Sequence, residues 1–331
     1  MNIRQHSMLV LLCFSISFWY ATRINASFGD KVSSVKYDTG SAPAIAFISS
    51  GTYADCIAEV HNSSKLSNSC DLWFNIFDQT GKKKVHFKYK DSASNPSIAF
   101  ISSGTYAGYI AIAYQDGDLW FDILDPDTQE KVVHFKYKEK ASNPSIAFIS
   151  SGTYAGYIAE VHEENDGLWF DILKQDGEVV VNFHYYDGQG TSPSIAFISS
   201  GTYSGYIAEL HQFKDRDDFN LLLGILTQDG TVVVRNQYEY NGLVPSVAFI
   251  PSGYGYIAGV YQDYQKSKLW LNILDQETEK SVNGDSVEYD EGKLPSIVFI
   301  PSGTYAGYIA EAHLGSGVGD DLWFDIISIE R

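Results

Sequence analysis

Beyond residue 26 the apolar residues fall in short runs rich in Ile, Val, Tyr, Phe and Trp, separated by Gly, Asn, Asp and Ser. Residues 144–186 show the pattern in full: PSIAFI, SSG, TYAGYIAEVH, EENDG, LWFDIL, KQDG, EVVVNFHYY. Each apolar run reads as a β-strand, and Ser-Gly and Asp-Gly are hairpin-turn residues. No segment sustains a 3.6-residue period with helix caps. The grammar recurs, with opening prolines at Pro43, Pro96, Pro144, Pro193, Pro245 and Pro295. Six repeats of about fifty residues, four strands each, fill residues 27–331, read here as one domain.

Such repeats stack as a solenoid or close as a propeller. The last repeat stops after its third strand, LWFDIISIER, while VSSVKYDTG (residues 32–40) matches the fourth-strand stretch SVEYDEG (residues 286–292). An N-terminal strand that completes the last blade hides both sheet edges. The expected fold is therefore an all-β, six-bladed β-propeller with four antiparallel strands per blade, closed by that strand.

The most faithful copy is FISSGTYAGYIA, at residues 100–111 and again at 148–159. It joins strands one and two, and the meander puts it on the same disc face as the Asp-Gly turns after strand three. Its glycines suit a positive φ or a close backbone approach. It reads as scaffold.

The opposite face receives a second recurring pattern, Glu-x-His at the end of strand two: Glu59 and His61, Glu160 and His162, Glu209 and His211, Glu311 and His313. Strand alternation puts both side chains of a pair on one side. Such a pair either hydrogen-bonds a hydroxylated ligand, the carboxylate fixing the imidazole tautomer, or satisfies polar groups between neighbouring blades. On the first reading His162→Ala weakens binding with little loss of stability. One pair supplies only two ligands, fewer than a zinc site needs. Repeats two and five carry Ile112 and Tyr114, and Gly259 and Tyr261, instead.

Charge and leader narrow the setting. The chain holds 23 Lys and Arg against 41 Asp and Glu, a formal charge of −18. That field excludes nucleic acid as a partner and leaves calcium or basic proteins open. Residues 1–26 run from Arg4 through LVLLCFSISFWYA to Ala26, the order of a cleaved secretory signal. No later stretch has the roughly 18 apolar residues of a spanning helix. An exported, extracellular protein is expected. Asn62-Ser63-Ser64 is an acceptor for N-glycosylation. Cys56 sits mid-strand and Cys70 beside the turn, too far apart for the ~7 Å limit of a bridge.

The recurring Pro144-Ser145-Ile146-Ala147, Glu160-Val161-His162, Leu168-Trp169-Phe170, and Tyr37-Asp38-Thr39-Gly40 or Tyr289-Asp290-Glu291-Gly292 resemble a secreted lectin-like β-propeller repeat family over residues 32–331. The resemblance implies glycan binding at repeated sites on or between blades. The leading expectation is a secreted, non-catalytic, multivalent carbohydrate-binding propeller with glycans or glycoproteins as partners. An extracellular structural or matrix protein that binds basic proteins or calcium is the alternative, and a hydrolase at the channel mouth the third. No Gly-x-Ser-x-Gly elbow or phosphate-cradling loop is present.

Overall fold

A computed structural model describes residues 26–63, 70–165, 167–187, 190–215, 218–251, 255–278, 280–282 and 284–330. The secretory-signal expectation for residues 1–26 falls almost entirely outside them. After β1 (Lys31–Thr39) comes the first repeat, β2 (Ser41–Ile48), β3 (Cys56–Asn62), β4 (Leu72–Asp78) and β5 (Lys83–Lys90). The second is β6 (Ser94–Phe100), β7 (Ile110–Asp116), β8 (Asp118–Leu124) and β9 (Lys131–Lys138). The third is β10 (Ser142–Phe148), β11 (Ile158–Glu164), β12 (Gly167–Leu173) and β13 (Val179–Asp187). The fourth is β14 (Gly190–Phe197), β15 (Ile207–Asp215), β16 (Asp218–Leu226) and β17 (Val232–Tyr240). Then follow β18 (Gly242–Ile250), β19 (Tyr256–Asp263), β20 (Lys268–Asp275), β21 (Val287–Phe299), β22 (Ile309–Gly315) and β23 (Asp321–Ile327).

The first four repeats each form a four-stranded antiparallel meander, as the alternation predicts. The last two do not, and here the expected fold is corrected. In place of two further four-stranded blades, one of them completed by the N-terminal strand, there is a single seven-stranded sheet in the order β1-β23-β22-β21-β20-β19-β18. Strand β21 runs unbroken for 13 residues, pairing with β20 through its first part and with β22 through its second. The backbone explains the difference. Between repeats, Ser92, Lys140 and Asn241 take φ of 54°, 57° and 56°, which interrupts the strand, whereas Gly292 stays out of the left-handed region. Strand β1 is the edge of this sheet, paired with β23 from Lys31 opposite Ile327 to Thr39 opposite Asp321.

The first strands of all six repeats surround one channel of about 350 Å³ lined by Ile, Val, Ala and Phe, with Ser or Pro at one mouth. Five of these strands are tied to the next by the serine after the opening proline; in the first repeat that place is Ala44. Ser97, Ser145, Ser194 and Ser246 accept the backbone N–H of Ile146, Ile195, Val247 and Ile297 at 3.0–3.1 Å. Ser296 accepts that of Ile45 at 3.1 Å, which joins the last repeat to the first.

The repeated string has a mechanical role. A glutamine from the turn after strand three reaches the SGTY turn of the preceding repeat. Gln228 Nε2 donates to Ser151 O at 2.8 Å and to Gly205 O at 2.7 Å, and Gln228 Oε1 accepts from Tyr154 N at 2.8 Å. Gln175 and Gln79 clamp the turns at Tyr106 and Tyr305 in the same way. Gly152, at φ 96°, is required twice over, because a Cβ there would also run into the Gln228 amide.

Candidate functional site

The Glu-x-His pairs lie in the interior between repeats. Glu59, Glu160, Glu209 and Glu311 are fully buried, and His61, His162, His211 and His313 are at most 2% exposed. Within each pair the imidazole Nδ1 meets the carboxylate at 2.8–3.0 Å. The carboxylate also accepts the fourth-strand tyrosine of the preceding repeat: Tyr37 to Glu59 at 2.9 Å, Tyr137 to Glu160 at 2.8 Å and Tyr289 to Glu311 at 3.2 Å. Where glutamate is absent the tyrosine finds a substitute. Tyr89 donates to Asp122 at 2.5 Å, and Tyr238 to the carbonyls of Asn272 at 3.0 Å and Gly259 at 3.3 Å.

The Tyr-Asp-x-Gly motif belongs to the same clasp. Its glycine makes room for the histidine, since a Cβ on Gly40 would strike His61 and one on Gly292 would strike His313. Its aspartate lies near the second imidazole nitrogen, Asp290 at 3.6 Å from His313 and Asp38 at 4.0 Å from His61. Of the two readings open for Glu-x-His, the satisfaction of polar groups between neighbours is the one these contacts describe.

Burial alone would push the imidazolium groups of His61, His162 and His313 down, but the carboxylates win. For His162, Glu160 and Asp171 outweigh burial and hold the imidazole at about 9. For His313, Glu311 and Asp325 outweigh burial and also give about 9. Their neighbours are pushed the opposite way from ordinary carboxylates: burial and the charge of Glu160 raise Asp171 to about 6, and burial and Glu311 raise Asp325 to about 7. Tyr37, Tyr137 and Tyr289 are raised well above their ordinary value by burial and then by the adjacent glutamate.

Two of these clusters gather three donor atoms within 4.8 Å of one another, Glu160, His162 and Asp171, and Asp290, His313 and Asp325. Each includes an imidazole that holds its proton, and in the second the ammonium of Lys31 pairs with Asp290 and stands 3.5 Å from Asp325. Calcium takes six to eight oxygen donors, so protons and Lys31 suit this chemistry better than that ion.

Two other expected residues are also interior. Asn62 is 6% exposed in β3, opposite Leu72. Cys56 pairs in register with Asp78, and both Cys56 and Cys70 are free thiols.

The cleft that opens to solvent lies beside the clasp, and the signal for it was a departure from the repeat. On the first three repeats a histidine ring from the fourth strand covers the indole of the third. Trp73 stacks on His86 at 4.9 Å, Trp120 on His134 at 4.8 Å and Trp169 on His184 at 4.9 Å. The ammonium of Lys138 stands 4.7 Å from the Trp169 ring. On the last repeat Ser34 faces Asp325, the place that His86 takes opposite Asn75 and His134 opposite Asp122. With that ring gone, a cavity of about 390 Å³ lies against half-buried Trp323, lined also by Lys31, Ser34, Asp290, His313 and the Gly315–Gly319 loop.

No protein-family model and no curated protein matches the chain. Solved structures do, and they support an all-β propeller. A Hadza microbial sialidase superposes with TM-score 0.62 at 8% identity over 88% of this chain. The chain spans 66% of that protein's length. Kuenenia stuttgartiensis hydrazine synthase (TM-score 0.52, 14% identity) is matched over 89% of this chain and 98% of its own. The Swd1 β-propeller domain of Myceliophteria thermophila (TM-score 0.51, 10% identity) is matched over 90% and 99%. At these identities the likeness is one of fold. No helix among the described residues is long and apolar enough to cross a membrane.

Proposed function

We propose that the chain is an exported, non-catalytic carbohydrate-binding propeller whose ligand sits in the cleft beside Trp323. The observation that carries this reading is an indole face without the histidine cover found on Trp73, Trp120 and Trp169, set among charged hydrogen-bonding groups. Aromatic faces take the C–H surface of a pyranose, and a carboxylate, an imidazolium and an ammonium together match adjacent hydroxyls. The central channel is lined by Ile, Val, Ala, Phe, Ser and Pro side chains, which supports binding rather than acid–base chemistry on the axis. Multivalency in its simplest form, six equal sites, finds no support in the covered indoles, so avidity would come from copies of the chain on a ligand-dense surface.

A glycan array probed with the recombinant chain tests the reading. Binding to a defined glycan set is expected, lost in Trp323→Ala and in Ser34→His, which restores the covering ring. A silent array, or binding unchanged in both variants, would overturn it.

A further inference from the structure

The cleft beside Trp323 differs from its counterparts in charge as well as in cover. On the third repeat Trp169 lies opposite His162 in register, and an ammonium stands beside its indole. Lys138 Nζ is 4.7 Å from that ring and 2.7 Å from the Glu164 carboxylate. Lys138 directly follows Tyr137, the tyrosine that reaches Glu160, and Glu164 comes two residues after His162. The second repeat keeps the same charge pair, with Lys90 after Tyr89 and 2.9 Å from Asp116. These two repeats supply their own ammonium at this place.

On the last repeat the sign is inverted. Trp323 lies opposite His313 in the same register, but Asp290 follows Tyr289 where Lys138 follows Tyr137, and Gly315 stands where Glu164 does. A Cβ on Gly315 would come within 3.0 Å of Trp323 Nε1, so the glycine keeps the indole edge open. The first repeat also has an acid at this position, Asp38, but Lys83 holds it at 2.5 Å and His86 covers Trp73.

The cations that line the Trp323 cleft are already matched. Lys31 pairs with Asp290 and stands 3.5 Å from Asp325, and His313 Nδ1 meets Glu311 at 2.8 Å. Asp321 is held by Lys36 at 2.6 Å. Glu291 is not matched. Its side chain is exposed at the cleft and makes no hydrogen bond or ion pair among the described residues, because its register partner Lys268 is held by Glu288 at 2.5 Å. The unmatched charge of the cleft is therefore negative.

We propose that the Trp323 cleft selects a cationic glycan, an amino sugar whose free ammonium takes the place beside the indole that Lys138 fills on the third repeat, with Glu291 as its counter-ion. This rests on the reading of the cleft as a carbohydrate site and adds the class of sugar. Tryptophan is the best cation–π partner among the aromatic side chains, and a carboxylate accepts from an ammonium in a charge-assisted hydrogen bond. The formal charge of −18 draws cations toward the chain. An N-acetylated sugar has lost that charge, and a uronic acid brings the sign that the cleft repels.

The test titrates the full chain with glucosamine, N-acetylglucosamine and glucuronic acid oligosaccharides of equal length, by calorimetry in low salt at about pH 6. The glucosamine oligomer is expected to bind about tenfold more tightly than the N-acetylated one, and the uronic acid more weakly than either. Glu291→Gln, a change at an exposed side chain, is expected to cut the glucosamine preference to about twofold or less. A glucosamine preference that persists in Glu291→Gln or in Trp323→Ala overturns the proposal. A chain that binds neutral glycans on the array without preferring the glucosamine oligomer overturns this proposal alone, whereas silence on the array and with all three oligomers overturns the carbohydrate reading with it.

Discussion

Glu160 offers the sharpest perturbation of the fold. Its carboxylate is fully buried and holds two partners, the Tyr137 hydroxyl at 2.8 Å and the His162 imidazolium at 2.8 Å. Glu160→Ala removes both acceptors at once and leaves a buried cation beside an unsatisfied hydroxyl. Breaking a buried ion pair from one side costs about 3–5 kcal/mol, and a stranded hydroxyl about 1–3 kcal/mol. The two losses overlap because His162 can shed its proton, so the expected total near pH 6 is about 4 kcal/mol. For a domain of this size that lowers Tm by roughly 6 °C. Urea titration followed by tryptophan fluorescence gives the free energy directly. The pH dependence separates the parts: above pH 9 the imidazole is neutral in the unmodified chain too, and the deficit should shrink to the hydroxyl share, about 1–2 kcal/mol. A deficit under about 1 kcal/mol at pH 6, or one of equal size at pH 6 and pH 10, would refute the clasp as the role of Glu-x-His. His162→Ala should likewise destabilise, against the expectation from sequence that it spares the fold.

The unmodified chain should lose stability as pH rises from 6.5 to about 9, because His162 and His313 bind protons more tightly folded than unfolded; a flat or rising unfolding free energy over that window would contradict it. Asp171 and Asp325, raised to about 6 and about 7 from 3.8, slope the same way at lower pH, since the folded chain again holds the extra proton. Gln228→Ala should cost about 2–3 kcal/mol in urea titration by freeing three turn hydrogen bonds, with no effect on glycan binding. Val244 precedes Pro245 with φ 46°, a conformation that a β-branched residue reaches only with strain. Val244→Gly is therefore expected to stabilise by about 1 kcal/mol, and a loss would show that side-chain packing at the channel mouth outweighs backbone relief.

Strand content and turn positions were legible because they depend on neighbours in sequence. LWFDIL becomes a strand for its alternation, and Gly152 a turn residue for its φ. The boundary between repeats five and six was not legible in that way. Glu291-Gly292-Lys293 carries the same glycine signal that ends strands elsewhere, yet the backbone there stays extended and β21 runs through. The Glu-x-His pairs do lie in strand two and on one side of it, but as the third and fifth residues of β11, β15 and β22 rather than at the strand's end. Which side faces solvent depends on the preceding repeat, where the tyrosine that covers Glu59, Glu160 or Glu311 stands 22 or 23 residues earlier. The recurring Gln79, Gln175, Gln228 and Gln276 in the turns after strand three were available as a signal for the clamp on the SGTY turns and passed as ordinary loop residues.

The proposed glycan site lies where the histidine that the first two repeats carry opposite Asn75 and Asp122 is replaced by Ser34. This follows from how adjoining repeats are held. Most junctions have several independent ties, namely the serine to the next first strand, the glutamine to the preceding turn, and the tyrosine to the next glutamate or its substitute; between repeats one and two, Ala44 and Pro126 stand where the serine and the glutamine would be. A junction missing one packing element can keep its geometry through the others, so an open cleft forms without separating the sheets. At the junction of repeats four and five, Ser194 still holds Val247 N at 3.0 Å, Gln276 still holds Tyr203 N at 2.9 Å, and Tyr238 still reaches across. At the junction beside Trp323, Tyr289 holds Glu311 and Ser246 holds Ile297 N at 3.1 Å. Copies kept alike therefore mark the mechanical parts of the ring, and ligand chemistry is to be sought at positions where one repeat has stopped resembling the rest.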